Sequence, residues 1–151
     1  MQTRREALKQ SALVAGLLAG TGLFPSYAWA FNTKAFDAKS VADAVKALGG
    51  GVPTESKDVS ITAPDIAENG AVVPIGVATT LVGVKQLVLL VEKNPSALIA
   101  TFNVSDAVDS TFSTRAKMGQ SSDVYAVAIM QDGKALFAKK EVKVTLGGCG
   151  G

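Results

Sequence analysis

The chain has 151 residues, 48% of them hydrophobic and 19% charged, with a formal charge of +2, a single cysteine and no histidine. One thiol without histidine excludes a Cys-His hydrolase, a Cys-x-x-Cys redox motif, a Cys/His zinc site and a Cys-x-x-Cys-His haem attachment. An intramolecular disulfide is equally impossible, and no glycine-rich phosphate loop opens a helix.

The first 30 residues read as an export signal. Thr3-Arg4-Arg5-Glu6-Ala7-Leu8-Lys9 is a twin-arginine start, and Ser11 to Phe24 is a mildly apolar run containing Gly16, Gly20 and Gly22. Ala28-Trp29-Ala30 then supplies an A-x-A cleavage site, completing the n-region, h-region and small-residue order of a signal peptide. The run is 14 residues long, too short for a membrane span, which takes about 20 apolar residues. The arginine pair favours the Tat route. Cleavage is expected after Ala30, with delivery to the periplasm. No lipobox follows and no prenylation pattern ends the chain, so no membrane partner is expected. The leader carries three of the 15 basic and one of the 13 acidic residues, leaving twelve of each from Phe31 onward. The positive charge therefore belongs to the leader and does not imply nucleic-acid binding.

Residues 31–146 are expected to form one domain. Ser40-Val41-Ala42-Asp43 fits a capping pattern, and Phe36, Val41, Ala44, Val45 and Leu48 recur at helical spacing, so one helix is expected over 35–48. The Gly49-Gly50-Gly51 run closes it. Short β-rich segments follow, separated by turn signals: 58–63, 71–79 after Asn69-Gly70, 84–92 after Val82-Gly83, and 97–104 after Asn94-Pro95. Leu98, Ala100, Phe102 and Val104 would share one face. Phe112, Thr114, Ala116 and Met118 alternate with Ser113, Arg115 and Lys117, the pattern of a strand with one wet face. Segments 123–130 and 134–146 flank Asp132-Gly133, a hairpin signal. Seven strands at this spacing indicate a mainly β fold, an immunoglobulin-like antiparallel β-sandwich with one N-terminal helix. Leu87-Val88-Leu89-Leu90-Val91 is apolar at both parities. Either the domain's own elements cover both faces, or a second subunit packs on the outer one.

The chain ends Gly147-Gly148-Cys149-Gly150-Gly151. Four glycines around one thiol predict a thin, flexible arm carrying a reactive group, unlike a structural cysteine packed among apolar neighbours. The nearest charged side chain in sequence is Lys143, and the terminal carboxylate is closer and negative, so nothing local favours the thiolate. Such a thiol is sluggish alone. It also resists indiscriminate oxidation.

This ending, together with the segments Ile61 to Pro74 and Arg115 to Ala126 and the twin-arginine leader, resembles the SoxY family, the sulfur-substrate carrier subunits of bacterial thiosulfate oxidation. The resemblance implies a covalent carrier and not an enzyme, with no cofactor and no metal of its own. Cys149 would be the covalent attachment point, and Gly147, Gly148, Gly150 and Gly151 the swinging arm. A c-type cytochrome would conjugate thiosulfate to Cys149, giving a cysteine S-thiosulfonate. A thiosulfohydrolase would release sulfate to leave a persulfide, and a sulfane dehydrogenase, where present, would oxidise the outer sulfur. A SoxZ-like subunit would complete a heterodimer and would account for the two-faced apolar strand.

Two other classes of function compete. An exported β-sandwich interaction module could use Cys149 for an intermolecular disulfide. An enzyme working through Asp65 and Glu68 is a weaker reading, because acidic residues beside Asn69-Gly70 are ordinarily solvated. Arg115 and Lys117 fit the wet face of a strand, and could also guide a partner.

Export is directly testable. Replacing Arg4 and Arg5 together by lysine should strand the uncleaved precursor in the cytoplasm, because the Tat route reads the arginine pair. Cell fractionation that finds normal periplasmic levels of the double variant would rule the route out.

Overall fold

A run such as Leu87 to Val91 can sit in a strand only if both of its faces are kept from water. In the computed structural model all five side chains are fully buried, and the fold provides two separate covers. The structure describes residues 4–6 and 32–145. Residues 4–6 are helical and belong to a unit of their own, Met1–Phe31. The architecture below is that of the unit beginning at Asn32.

Two short helices come first, α1 (Thr33–Asp37) and α2 (Val41–Ala47). Nine strands follow: β1 (Pro53–Glu55), β2 (Val59–Thr62), β3 (Ile66–Ala67), β4 (Val73–Thr79), β5 (Val84–Val91), β6 (Leu98–Asn103), β7 (Thr111–Ala116), β8 (Ser122–Met130) and β9 (Ala135–Val144). The larger sheet runs β1-β9-β8-β5-β6, with β3 also paired to β9, and the smaller runs β2-β4-β7. The class expected from the sequence, a mainly β sandwich, is the one observed.

Alternation along the strands builds the main core. Leu87, Leu89 and Val91 of β5 and Val124, Ala126 and Ala128 of β8 point inward, against Val73, Ile75 and Val77 of β4. The opposite parity, Val88, Leu90, Val127 and Ile129, forms a second cluster with Ala35, Ala44 and Val45 of the helix pair. The helices of this same chain therefore cover the outer face of β5, and that strand's composition gives no support to a subunit packed there. Side-chain and backbone ties hold the helices down. The Ser96 hydroxyl donates to the Phe36 carbonyl at 2.7 Å, and the Lys39 ammonium to the Pro95 carbonyl at 2.8 Å.

The structure departs from the sequence expectation in four places. The single helix over 35–48 is two. Ala38 adopts an extended conformation, and Ser40, also extended, caps α2 by accepting the Asp43 amide at 3.1 Å. A cap requires non-helical backbone, so the capping signal interrupts the helix instead of starting it. Phe36 is correspondingly half-exposed, while Ala35 turns inward. Second, β1 and β3 were not anticipated. Both pair with β9 in parallel, β1 through Pro53↔Ala135 to Glu55↔Phe137 and β3 through Ile66↔Lys143 and Ala67↔Val144. The remaining ladders are antiparallel. Third, Leu98 does not share a face with Ala100, Phe102 and Val104. The β5–β6 register slips between Leu89↔Ala100 and Leu90↔Leu98. This bulge reverses the parity and sends Leu98 under the helices. Fourth, the last strand stops at Val144, short of the expected 146. The Asp132-Gly133 turn joins β8 to β9 as anticipated, with Gly133 at φ +86°.

Deleting most of a side chain between the sheet and the helices should be costly. Leu90→Ala is expected to lower unfolding free energy by about 2–5 kcal/mol, whereas Val82→Ala, at a position 91% exposed, should change it by less than about 0.5 kcal/mol. Urea titrations of the two variants decide the point. Equal midpoints would show that the helices cover the sheet without contributing to its stability.

Candidate functional site

The candidate group, Cys149, and its glycines Gly147, Gly148, Gly150 and Gly151 lie outside the described residues, as does Leu146. What the structure does place is the base from which this tail leaves, at Thr145. From there to Cys149 is four residues, at most about 14 Å of extended chain.

The base is gripped from both sides. β9 pairs with β8 as far as Val142, opposite Ser122. Beyond that, the donors of β9 alternate between two neighbours, as strand geometry demands. The Lys143 amide donates to the Asp65 carbonyl at 2.9 Å and the Thr145 amide to the Ala67 carbonyl at 3.1 Å. Between them, the Val144 amide donates to the Ser121 hydroxyl at 2.9 Å. β3 thus serves as a short splint on one side of the exit, and the Ser121 side chain replaces a departed strand on the other.

Behind the splint the chain turns through Asn69-Gly70. Asn69 accepts the Ala71 amide through its side chain at 2.9 Å, an Asx turn. Gly70 accepts the Met118 amide at 2.7 Å. A Cβ on Gly70 would lie 2.5 Å from the Met118 carbonyl oxygen and 2.7 Å from a methyl of Val144. Only glycine lets these three segments approach so closely.

A lysine completes the grip. Lys140 sits between Ala138 and Val142, at a position of β9 whose register partner is the buried Val124. The alternation of β9 therefore calls for an apolar residue there. The ammonium instead reaches to the Ala63 carbonyl at 2.6 Å and to an Asp65 carboxylate oxygen at 2.9 Å.

Asp65, considered from the sequence as a possible catalytic carboxylate, is thus the ion-pair partner of Lys140. Glu68 is exposed. Arg115 lies on the exposed face of β7, as its alternation implied, and Lys117 is exposed while its carbonyl accepts the Asn94 side-chain amide at 2.7 Å. Among the described residues no group of three or more His, Cys, Asp or Glu side chains could hold a metal. Tyr125 and Lys139 have pKa values displaced away from neutrality. Burial, and then the Glu92 carboxylate, push the Tyr125 phenol up. The Lys139 ammonium is held up first by the Tyr125 phenolate charge and then by Asp123, at 3.5 Å. Neither group changes charge near pH 7, so neither is suited to general acid–base catalysis there.

Sequence reasoning missed Lys140, Ser121 and the splint β3. The signal for Lys140 was present. Leu136, Ala138, Val142 and Val144 mark one face of β9, and the lysine is its interruption.

Residues 44–149, from the second helix through the cysteine, match the model of the family described as sulfur oxidation protein SoxY. The chain belongs to the SoxY family. It is similar to the sulfur carrier protein SoxY from Chlorobium limicola f thiosulfatophilum, with 36% identity and a TM-score of 0.62 over 69% of this chain and 94% of that one. A superoxide reductase (neelaredoxin) from Ignicoccus hospitalis shares 16% identity over 58% of this chain and 79% of that one, at a TM-score of 0.51, a likeness of fold alone. Comparison with curated protein sequences finds no match. The segment Ile61 to Pro74, which carried part of the SoxY resemblance, contains both anchors of Lys140 and the whole of β3.

The close approach at Gly70 makes a sharp comparison possible. Gly70→Ala should cost about 1–3 kcal/mol through overpacking, whereas Gly119→Ala, where an added Cβ meets nothing within 4 Å, should be neutral. Matched urea titrations test this, and equal stabilities would mean that the exit tolerates a looser turn.

Proposed function

We propose that this protein is a periplasmic carrier of thiosulfate oxidation, holding its sulfur intermediates covalently on Cys149 and presenting them to partner enzymes. One observation carries the reading: the SoxY family match runs to Cys149, the chain's single thiol. The Chlorobium relative is itself a sulfur carrier protein. The glycines flanking Cys149 serve as the arm, slim enough for a narrow active site, and the gripped base at Thr145 is its fixed end.

In the first step the Cys149 thiol and the outer sulfur of thiosulfate form a sulfur–sulfur bond. The thiol proton is lost and two electrons leave one at a time, each reducing a c-type haem of the cytochrome partner by one electron. Hydrolysis by a thiosulfohydrolase then cleaves the bond to the sulfonate sulfur. Water supplies the oxygen of the departing sulfate, and a persulfide stays on Cys149. A sulfane dehydrogenase oxidises the outer sulfur to a sulfonate, with three waters as the oxygen source and six electrons passed on to a cytochrome acceptor, and a second hydrolysis releases sulfate and restores the thiol. This chain supplies attachment, reach and orientation at each step, and the partners supply the redox and hydrolytic chemistry. A SoxZ-like subunit is the proposed companion of the carrier domain, and the Tat leader the proposed means of export.

The reading is tested with the mature protein, thiosulfate and the cytochrome partner. Intact mass should rise by one thiosulfate group, a reductant should remove the increment, and Cys149→Ser should show none while keeping the wild-type fold. Thiosulfate oxidation in the reconstituted system should stop with that variant. Oxidation at the wild-type rate without the thiol would overturn the carrier reading. Quantitative conversion of the wild type to a disulfide-linked dimer, with no small adduct, would favour the interaction-module alternative.

A further inference from the structure

We infer that Lys140 is a positioning residue that fixes where the body ends and the Cys149 tail begins. The inference rests on the carrier reading above for its purpose, but its structural part stands on geometry alone.

An inward-facing register position in a sandwich strand is a costly place for an ammonium unless the charge finds partners. Here the neighbours on the same face, Ala138 and Val142, belong to the main core, and the residue opposite, Val124, is fully buried. The Lys140 side chain retains about a third of its exposure, and its ammonium leaves the sandwich at the side, where the smaller sheet ends. There it donates to the Ala63 carbonyl at 2.6 Å, one residue beyond β2. Its second partner, the Asp65 carboxylate at 2.9 Å, is 87% exposed. An exposed ion pair contributes little, whereas a charged donor on a backbone carbonyl is among the stronger hydrogen bonds. The Ala63 bond is therefore the principal tie.

What that tie holds is the splint. Ala63, Pro64 and Asp65 lead directly into β3, whose flanking carbonyls at Asp65 and Ala67 take the amides of Lys143 and Thr145. Lys140 lies on β9 itself, three residues before Lys143. One side chain of the outgoing strand thus holds in place the segment that receives the last amides of that strand. If the tie is removed, β3 keeps its two-residue ladder, the buried Ala67 and the close packing at Gly70, but loses its hold on the Ala63 side, and β9 can fray from Lys143 outward. The length of chain between the last held residue and Cys149 would then grow by about three residues, adding up to roughly 10 Å of reach. A longer tether places its end less sharply and dilutes its effective concentration at a partner site.

The test compares Lys140→Met with wild type. Methionine suits an inward β position and can pack without the charge, so global stability should change little. Hydrogen exchange followed by NMR should show the amides of Lys143 and Thr145 exchanging about tenfold faster or more, since each loses a supported bond. The Val127 amide, at the centre of the sheet, should be unchanged. Cytochrome-dependent loading of Cys149 with thiosulfate should slow severalfold, while its reaction with a small thiol reagent stays at the wild-type rate. Lys140→Arg, which keeps donors at the same reach, should restore both the exchange pattern and the loading. Asp65→Asn should have little effect on either. If Lys140→Met fails to fold, Lys140→Gln, too short to reach Ala63, carries the same comparison. Unchanged exchange at Lys143 and Thr145 would overturn the clamp. Faster exchange with unaltered loading would overturn the positioning role and leave only a structural tie. Wild-type protein that never loads would instead defeat the carrier reading and leave the exchange result standing.

Discussion

From Leu87 to Val91 no side chain of β5 reaches water, so both faces of this one strand must be covered by other parts of the chain. Each fully buried aliphatic side chain is worth about 1.5–3 kcal/mol relative to exposure, which makes this strand the largest single consumer of cover in the fold. The smaller sheet covers one face through Val73, Ile75 and Val77. The helix pair covers the other through Ala35, Ala44 and Val45. The helices contribute small residues, so they lie close against Val88 and Leu90, and they are tied to the loop ahead of β6 by Ser96 and Lys39. With β5 satisfied in this way, β8 is laid down beside it and β9 beside β8, each in antiparallel register, and the direction in which β9 leaves the sheet is settled.

That direction matters because β9 ends at Val144, five residues before Cys149, the single thiol of the sequence. The outer edge of β9 faces no long neighbour. An unpaired edge of this length would be an invitation to adventitious strand pairing. Two short parallel pieces occupy it instead, β1 near its start and β3 near its end. Neither piece is long enough to be stable alone. β1 is held by the backbone bond between the Gly51 amide and the Gly133 carbonyl, at 2.8 Å. β3 is held by Lys140 and by the close packing at Gly70. The edge is thereby protected without a full strand, and the exit of the tail receives a defined last residue.

The features legible in the sequence were those with a local cause. The alternation from Phe112 to Met118, the Asp132-Gly133 hairpin and the Ser40 cap each act over a few residues, and each is present. The misreadings share a different origin. One helix is expected over 35–48 despite the capping pattern at Ser40, because the helical spacing there is continuous and nothing local shows the break at Ala38. Leu98 was assigned by strict alternation, and the bulge opposite Leu89 comes from pairing with β5, which no window on β6 alone reveals. β1 and β3 exist only because β9 passes beside them. Two residues such as Ile66 and Ala67 carry no periodic signal. The double-faced strand was legible as a need for cover, but composition could not say whose side chains supply it.

Lys140 shows how a broken pattern can carry more information than an intact one. Four aliphatic positions define the inward face of β9, and a lysine among them is locally inconsistent with the global fold. Natural chains keep such inconsistencies where something besides stability is gained. A methionine would fill the position at no cost in charge burial, but it could not reach out of the sandwich to take a carbonyl on a neighbouring loop. A flexible four-carbon stem with a donor at its tip can do so. The fold thus separates two demands on one strand. Its first eight residues or so are held by sheet pairing and core packing, as in any sandwich. Its last few residues are held by a splint, a hydroxyl and a lysine.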